Sequence, residues 1–166
     1  MNNNEQTKVL FVCMGNICRS PTADAVFRHQ LRTAGLEKKI FVDSAGTHTY
    51  HIGKPPDKRA QLAALQRGYK MHDLRARAVQ SSDFSEFDYI LAMDNDNLAQ
   101  LKISCPDQFN HKLSLFMQYS KDFSICREVA DPYFGGSQGF ESVLDMVEIA
   151  CQGLLTHIRK HHLKPQ

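Results

Sequence analysis

Long apolar runs are missing from this 166-residue sequence. The longest run near its start covers residues 9–14, far short of the roughly 20 residues that span a bilayer as a helix. Residues 1–6 are polar and lack the basic and then apolar segments of a secretory signal. We therefore expect a cytoplasmic protein that does not associate with a membrane.

The sequence also lacks a strong excess of either charge. Its 20 Lys and Arg residues against 18 Asp and Glu residues give a net charge of +2, which predicts no nucleic-acid partner. Apolar residues make up 42% and charged residues 23%, as in an ordinary globular protein. The length suits a single domain over residues 1–166, with a polar tail over 1–6 and a basic end over 157–166.

Paired cysteine motifs are absent too. The five cysteines include no Cys-x-x-Cys pair, so the sequence predicts no metal site. Their odd number leaves at least one thiol free, and a chain of this size can build its core without disulfides. Cys105, Cys126 and Cys151 are expected to be packing residues. The chemistry of Cys13 and Cys18 is then the question.

Short β-branched or aromatic runs alternate with segments of helical periodicity. Strands are predicted at residues 8–13, 40–43, 89–93 and, more weakly, 112–115. Helices are predicted at 20–34, at 57–68, after 94, and along an apolar stripe from 140 to 158. Asp57 is the expected cap of the second of these helices, and Asp94 or Asn95 that of the third. Ser20 is the expected N-cap of the first helix, with Pro21 at its first position. This order predicts an α/β fold: a single-domain, doubly wound sheet of about four parallel strands flanked by helices.

The first predicted strand ends at Cys13, and a short loop and a helix follow it directly. Ligands of doubly wound sheets bind at such a place. The pattern is Cys-x5-Arg-Ser, and the glycine-rich patterns of nucleotide-binding loops are absent. Backbone N–H groups of the intervening residues can surround a tetrahedral oxyanion, while the fork of Arg19 holds two of its oxygens. The sequence predicts a phosphate-binding loop after the first strand, formed by Met14, Gly15, Asn16, Ile17, Cys18, Arg19 and Ser20.

Cys13 lies beneath the expected oxyanion and is the candidate nucleophile. A helix N-terminus, converging N–H groups and a guanidinium all favour the thiolate, which is the reactive form of cysteine. Ser20 is placed to donate a hydrogen bond to it. The alternative is that Cys13 is a small buried residue at the end of a strand, as free cysteines often are. The surrounding loop pattern favours catalysis.

The same stretch resembles the signature of the low-molecular-weight protein tyrosine phosphatases, V-x-C-x-G-N-x-C-R-S-P, without a gap. Further similar stretches lie at 43–47, 50–57, 87–94 and 131–133, so the resemblance covers roughly residues 7–160. It implies a phosphatase that hydrolyses phosphotyrosine and small aryl phosphates through a cysteinyl-phosphate. It also implies that no metal or organic cofactor is needed and that the partners are tyrosine-phosphorylated proteins.

The resemblance assigns roles to single residues. Cys13 would attack phosphorus, Arg19 and the loop amides would stabilise the equatorial oxygens, and Asp131 would protonate the departing tyrosine oxygen. Asn16 would hold the shape of the loop. Taken from the residues alone, Asp131 before Pro132 has the pattern of a turn residue. The Cys-x5-Arg pattern upstream and the neighbouring Tyr133 and Phe134 favour the role of general acid.

Other implied roles concern the pocket and its redox chemistry. Tyr50, Tyr133 and Phe134 resemble the aromatic walls that select a flat phenyl phosphate, although exposed aromatics also occur without a function. Cys18 resembles a cysteine that can form a disulfide with the nucleophile. Asp94 has the pattern of a helix cap, and support of the phosphate loop is implied for it by the family alone.

One stretch departs from the family pattern. Relatives often carry a histidine shortly before an x-Ala-Arg segment, where it supports the phosphate loop, and here Leu74 stands at that position. His72 lies two residues away and is an alternative source of support. The sequence leaves open what replaces the histidine.

Two other functions compete with phosphatase activity. An arsenate reductase of the same fold shares the Cys-x5-Arg pattern but needs two further cysteines close together, whereas Cys105 and Cys126 lie far apart in sequence. A phosphotyrosine-binding module or a thiol redox sensor has no need of Cys13, Arg19 and Asp131 together. Phosphatase activity is the prediction that uses all three.

Overall fold

Four parallel strands form the centre of the protein, whose computed structural model describes residues 5–133 and 135–163. The strands are β1 (Thr7–Cys13), β2 (Ile40–Gly46), β3 (Tyr89–Ala92) and β4 (Leu113–Leu115). Their order in the sheet is β2-β1-β3-β4, and every neighbouring pair is parallel. The chain winds from β1 to one side and later to the other, so the winding reverses beside the carboxyl end of β1.

Helices cover both faces of the sheet. In the described residues they are α1 (Arg19–Thr33), α2 (Lys58–Gln66), α3 (Ser81–Glu86), α4 (Asn95–Ser104) and α5 (Ser137–His161). Short 3-10 turns at Asp107–Lys112 and Phe116–Tyr119 flank β4. The predicted fold class, a doubly wound α/β sheet of four parallel strands flanked by helices, is confirmed.

Strand β1 is buried on both faces, as a central parallel strand must be. Its odd-numbered residues from Val9 to Cys13 enter the larger core with α1 and α5, and its even-numbered residues enter a smaller core with α3 and α4. Phe11 packs edge-on against Phe27 and Phe116, with ring centroids 5.8 and 5.0 Å away. This packing fixes the strand and thereby the position of Cys13 at its end.

The start of α1 differs from the prediction. Its N-cap is Cys18, not Ser20, and the helix already begins at Arg19. The Ser20 hydroxyl is engaged elsewhere, because it lies 3.0 Å from Cys13 Sγ and accepts a hydrogen bond from Asn16 Nδ2. Pro21 is still tolerated in the first turn of α1, because the N–H groups of a first helical turn have no partner within the helix.

Two further elements differ from their predictions. Strand β2 extends to Gly46, three residues further than predicted, because it pairs in register with the whole of β1. Helix α3 was not predicted; the Asp83 carboxylate accepts the backbone N–H of Gln80 at 2.8 Å at its start. The predicted caps at Asp57 and Asp94 are confirmed, since each carboxylate accepts a backbone N–H of the following helix.

The ends of the chain lie partly outside the described residues. This applies to residues 1–4 of the predicted polar tail and to 164–166 of the predicted basic end. The boundaries of 1–166 therefore stay a prediction. Within the part of the chain that is described, no helix is both long and apolar enough to cross a membrane.

Candidate active site

The loop between β1 and α1 carries the candidate nucleophile. Cys13 is only 2% exposed, and its sulfur lies 3.0 Å from Ser20 Oγ. The backbone N–H of Asn16 donates to the same sulfur at 3.3 Å. Both contacts place hydrogen-bonding groups around the sulfur at the start of α1.

Asn16 holds the loop in a conformation that few side chains adopt. Its φ of 57° lies in the left-handed region. The side-chain amide donates to Ser20 Oγ at 2.7 Å and to Ser44 Oγ at 2.9 Å, and its carbonyl oxygen accepts the backbone N–H of Arg77 at 3.0 Å. Three bonds to three separate segments stabilise the strained residue and the curve of the loop.

Two glycines allow the loop to lie close to its surroundings. A Cβ atom on Gly46, at the end of β2, would be 2.7 Å from the carbonyl oxygen of Met14. A Cβ atom on Gly15 would be 2.9 Å from Cδ2 of His51. Real Cβ atoms do not come that close, so a side chain at Gly46 would displace the loop itself.

Arg19 is buried, with 2% of its surface exposed, and links the loop to two other segments. Its Nη1 donates to Asp94 Oδ2 at 2.6 Å and to the carbonyl oxygen of Val129 at 2.9 Å. Burial acts to lower the pKa of Arg19, but the charges of Cys13 and Asp94 outweigh it, and the net shift is upward. The guanidinium therefore stays charged, and its hydrogen bonds to Asp94 and Val129 fix its orientation.

Asp131 faces the same guanidinium from the loop that precedes α5. Its Oδ2 lies 3.5 Å from Arg19 Nη2, and its carboxylate is 41% exposed. Its Oδ1 accepts the backbone N–H of Tyr133 at 3.0 Å, which is the turn that Asp131-Pro132 also predicts. Asp131 can form this turn and still face the site, because Oδ1 takes part in the turn whereas Oδ2 faces Arg19.

A cavity of about 140 Å³ opens above the loop. Its lining comes from the loop, the segment before α2 and the segment before α5, and consists of Cys13, Met14, Gly15, Ile17, Cys18, Arg19, His51, Asp131 and Tyr133. The rings of His51 and Tyr133 flank it, with centroids 6.5 Å apart. The walls are mostly apolar, whereas a charged pair, Arg19 and Asp131, lies beside the sulfur.

The structure does not bring all the predicted pocket aromatics together. Tyr133 lines the cavity, and Phe134 lies outside the described residues. Tyr50 is 70% exposed, stacks against His48 and is not part of the lining. The wall on that side is its neighbour His51, because the chain turns between the two residues and directs only the second ring at Gly15.

Cys18 lies in the same loop as Cys13 and is buried. Burial raises the pKa of its thiol to about 12, with smaller contributions from the negative charges of Asp57, Cys13 and Asp131. Cys18 is therefore a protonated thiol at neutral pH.

The segment that contains Leu74 supports the loop without a histidine. His72 is exposed, so it does not replace the family histidine, and Leu74 packs against the larger core. Support comes from the backbone N–H of Arg77, which donates to the side chain of Asn16. The Arg77 side chain is itself anchored by ion pairs with Asp43 and Asp83.

Several residues of the site were missed by the sequence interpretation. His51 and Ser44 lie in stretches that resemble the family, but neither was singled out, and Arg77 acts through its backbone. No spacing rule connects Ser44 or Arg77 to Asn16, from which they are 28 and 61 residues away. Only the resemblance at residues 43–47 and 50–57 could have drawn attention to Ser44 and His51.

Comparisons with known proteins agree on one family. The family model described as low molecular weight phosphotyrosine protein phosphatase matches residues 8–164. A low molecular weight phosphotyrosine protein phosphatase of Schizosaccharomyces pombe is 45% identical over 80% of this chain and 85% of its own length. A low molecular weight protein-tyrosine-phosphatase of Bacillus subtilis is 40% identical over 92% and 96%. A crystal structure of a protein tyrosine phosphatase from Entamoeba histolytica, with Hepes in its active site, superposes with a TM-score of 0.90 at 43% identity and covers 93% of this chain and 98% of its own.

Proposed function

The chain belongs to the low molecular weight protein tyrosine phosphatase family, and from that premise we propose that it hydrolyses phosphotyrosine in proteins, and small aryl phosphates, through a cysteinyl-phosphate intermediate on Cys13. The observation that carries the proposal is the cavity, in which a sulfur, a guanidinium and a carboxylate are exposed to the same small volume. An apolar wall with two flanking rings suits the phenyl group of the substrate.

In the first proposed step the Cys13 thiolate attacks phosphorus and the bond from phosphorus to the tyrosine oxygen breaks. Backbone N–H groups of residues 14–19 and the Arg19 guanidinium stabilise the equatorial oxygens of the phosphoryl group. The proton on Asp131 passes to the departing oxygen, so that a neutral phenol leaves.

In the second proposed step water hydrolyses the intermediate. Asp131, now a carboxylate, accepts a proton from the water while the water oxygen bonds to phosphorus. The phosphorus–sulfur bond breaks and returns Cys13 to its thiolate, which Ser20 stabilises through its hydroxyl. No step needs a metal or an organic cofactor, and tyrosine-phosphorylated proteins are the proposed partners. Cytoplasmic location and the absence of nucleic-acid and membrane partners stay predictions.

The two competing functions have less support. Cys105 belongs to the smaller core, whereas Cys126 and Cys151 pack with the larger core on the other face of the sheet. A relay through Cys105 and Cys126, as an arsenate reductase would need, would therefore have to cross the sheet. A pure binding module gives no reason for Asp131 to face Arg19 at the cavity.

The direct test is turnover of p-nitrophenyl phosphate and of a phosphotyrosine peptide, with a chelator and no added metal. We expect turnover of both in the usual range of enzymes, about 1–10³ per second. Tight phosphate binding without turnover would instead identify a binding module. Thiol-dependent reduction of arsenate, measured in parallel, would identify the reductase.

Peroxide should inactivate the enzyme reversibly. The thiolate of Cys13 is expected to attack peroxide and become a sulfenic acid, which the Cys18 thiolate then converts to a disulfide with release of water. Because the pKa of Cys18 is raised to about 12, we expect disulfide formation to accelerate about tenfold per pH unit between pH 7 and 9. Quenching the oxidation at set times and mapping the peptides by mass spectrometry measures this rate.

In Cys18→Ser, activity should no longer return with dithiothreitol once peroxide is in excess. A pH-independent rate of disulfide formation in the wild type would contradict the mechanism, as would full recovery of activity in Cys18→Ser.

A further inference from the structure

Arg59 joins the segment that carries Asp131 to the start of α2. Its Nη2 donates to the carbonyl oxygen of Tyr133 at 3.0 Å and to Asp57 Oδ2 at 2.9 Å, and its Nε donates to Asp57 Oδ1 at 3.1 Å. Its guanidinium lies over two rings, 4.9 Å from the centroid of Phe140 and 5.6 Å from that of Tyr133. One planar group thus contacts the helix cap, the loop before α5 and α5 itself.

The other end of this connection is the phosphate-binding loop. The backbone N–H of Asp57 donates to the carbonyl oxygen of Ile17 at 2.8 Å. The Asp57 side chain is only 11% exposed and also accepts the backbone N–H of Arg59 at 2.8 Å, as the N-cap of α2. A continuous series of hydrogen bonds therefore runs from the phosphate-binding loop through Asp57 and Arg59 to Tyr133.

The segment with Asp131 is attached on both sides. Before it, Val129 is held by the backbone N–H that it donates to Met93 and by the carbonyl oxygen that accepts from Arg19. After it, Tyr133 is held by Arg59 and by its own N–H bond to Asp131. Asp131 lies between these attachments and reaches Arg19 at a distance of 3.5 Å. Arg59 thus supplies a side-chain attachment after Asp131, and Arg19 supplies one before it.

An exposed ion pair such as that of Arg59 and Asp57 contributes little to stability by itself. The side chain of Arg59 is 48% exposed, so we expect its ion pair to add little to the stability of the fold. The distinguishing feature is the geometry: the fork satisfies both oxygens of Asp57 and keeps a donor for the Tyr133 carbonyl. A lysine carries the same charge but has no fork.

We propose that Arg59 is a positioning residue for the phosphatase reaction, which holds the Asp131–Tyr133 turn over the cavity so that the Asp131 carboxyl meets the departing oxygen. The inference rests on the proposed role of Asp131 as general acid. Proton transfer requires the acid within hydrogen-bond distance of that oxygen, and a misplacement of about 1 Å can cost up to about 10²-fold in rate. Arg59 thereby acts on kcat through Asp131 and touches neither phosphate nor nucleophile.

The test compares Arg59→Gln, Arg59→Lys and the control Lys58→Gln on a series of aryl phosphates with different leaving groups. Lys58 is the exposed neighbour of Arg59 at the start of α2, so its variant removes the same charge from the same helix end. We expect Arg59→Gln to lower kcat/KM, which reports the step in which the leaving group departs, about tenfold for phosphotyrosine and less than about threefold for the most acidic leaving group. Lys58→Gln should match the wild type throughout.

Arg59→Lys separates positioning from charge. If the fork positions the turn, the lysine variant shows the same dependence on the leaving group as Arg59→Gln, with KM for phosphate esters little changed. Wild-type kinetics in Arg59→Lys would overturn the proposal and assign the effect to charge. An equal loss in kcat/KM for all leaving groups in Arg59→Gln would overturn it as well, because kcat/KM reports the step in which Asp131 protonates the departing oxygen.

A double variant distinguishes this proposal from the proposed function. In the background of Asp131→Asn, Arg59→Gln should have no further effect on kcat, since there is no acid left to position. Additive losses would overturn the positioning role. If the loss of activity in Asp131→Asn is the same for every leaving group, the general-acid assignment fails. If the loss in Asp131→Asn depends on the leaving group but the loss in Arg59→Gln does not, only the positioning role of Arg59 fails.

Discussion

Replacing Cys13 by serine should reduce turnover of p-nitrophenyl phosphate by on the order of 10⁵-fold, to near the limit of detection. The hydroxyl keeps nearly the same shape and can keep the contacts with Ser20 and with the N–H of Asn16. It is almost entirely protonated at neutral pH and is a far weaker nucleophile than a thiolate. The covalent step is therefore lost while the loop stays intact.

Phosphate binding is the control for this variant. Arg19 and the amides of the loop are unchanged, so inorganic phosphate should still bind and should still raise the melting temperature of Cys13→Ser. Cys151→Ser is a matched control of the same chemistry, at a fully buried cysteine on α5 that lies outside the cavity; its activity per folded molecule should remain. Retention of most of the activity by Cys13→Ser would disprove a cysteinyl-phosphate intermediate.

Replacing Asp131 by asparagine should lower turnover of phosphotyrosine by about 10²–10⁴-fold, the usual contribution of a general acid. Phosphate binding should change little, because Cys13, Arg19 and the loop amides remain. The loss should shrink for substrates with more acidic leaving groups, which need less help from a proton donor. The fall in rate at higher pH should also flatten, since there is no longer an acid to lose its proton. Steady-state kinetics over a series of aryl phosphates and a pH–rate profile measure both effects.

Glu128→Gln is the matched control for Asp131→Asn. It neutralises a carboxylate three residues earlier in the same segment, where Oε1 accepts the N–H of Asn95 and does not line the cavity. Equal losses in kcat/KM for all leaving groups in Asp131→Asn would mean that Asp131 does not protonate the departing oxygen. Asp94 would be a poor substitute, because its Oδ1 caps α4 through Asn97 and its Oδ2 holds Arg19.

Much of the site could be predicted because its central part is continuous in sequence. The strand, the loop and the start of the helix occupy residues 7–20, and their chemistry follows from a short pattern of cysteine, glycine, arginine and serine. The caps at Asp57 and Asp94 were predictable for the same reason, since each bonds within its own first helical turn. Alternation of strands and helices was enough to predict a doubly wound parallel sheet.

Local signals nevertheless failed where a side chain had a choice of partners. Ser20 has the pattern of an N-cap, yet its hydroxyl contacts the sulfur of Cys13 and the amide of Asn16. Tyr50 and His51 are neighbours in sequence, and only the packing of the loop against Gly15 decides which ring lines the cavity. His72 lies close in sequence to the expected histidine, but its side chain is exposed.

The sequence by itself determined the candidate nucleophile loop and the class of fold, because each depends on residues that are adjacent or periodic along the chain. The candidate acid came from the resemblance to the family, since Asp131 before Pro132 alone has the pattern of a turn residue. Tertiary structure alone decided what supports them. Asn16 is held by Ser44 and by the backbone of Arg77, and the Asp131 turn is held by Arg59 from 74 residues away. Such contacts leave no periodic trace, because they arise only when the strands pair, the helices pack on the sheet, and distant loops meet at its carboxyl edge.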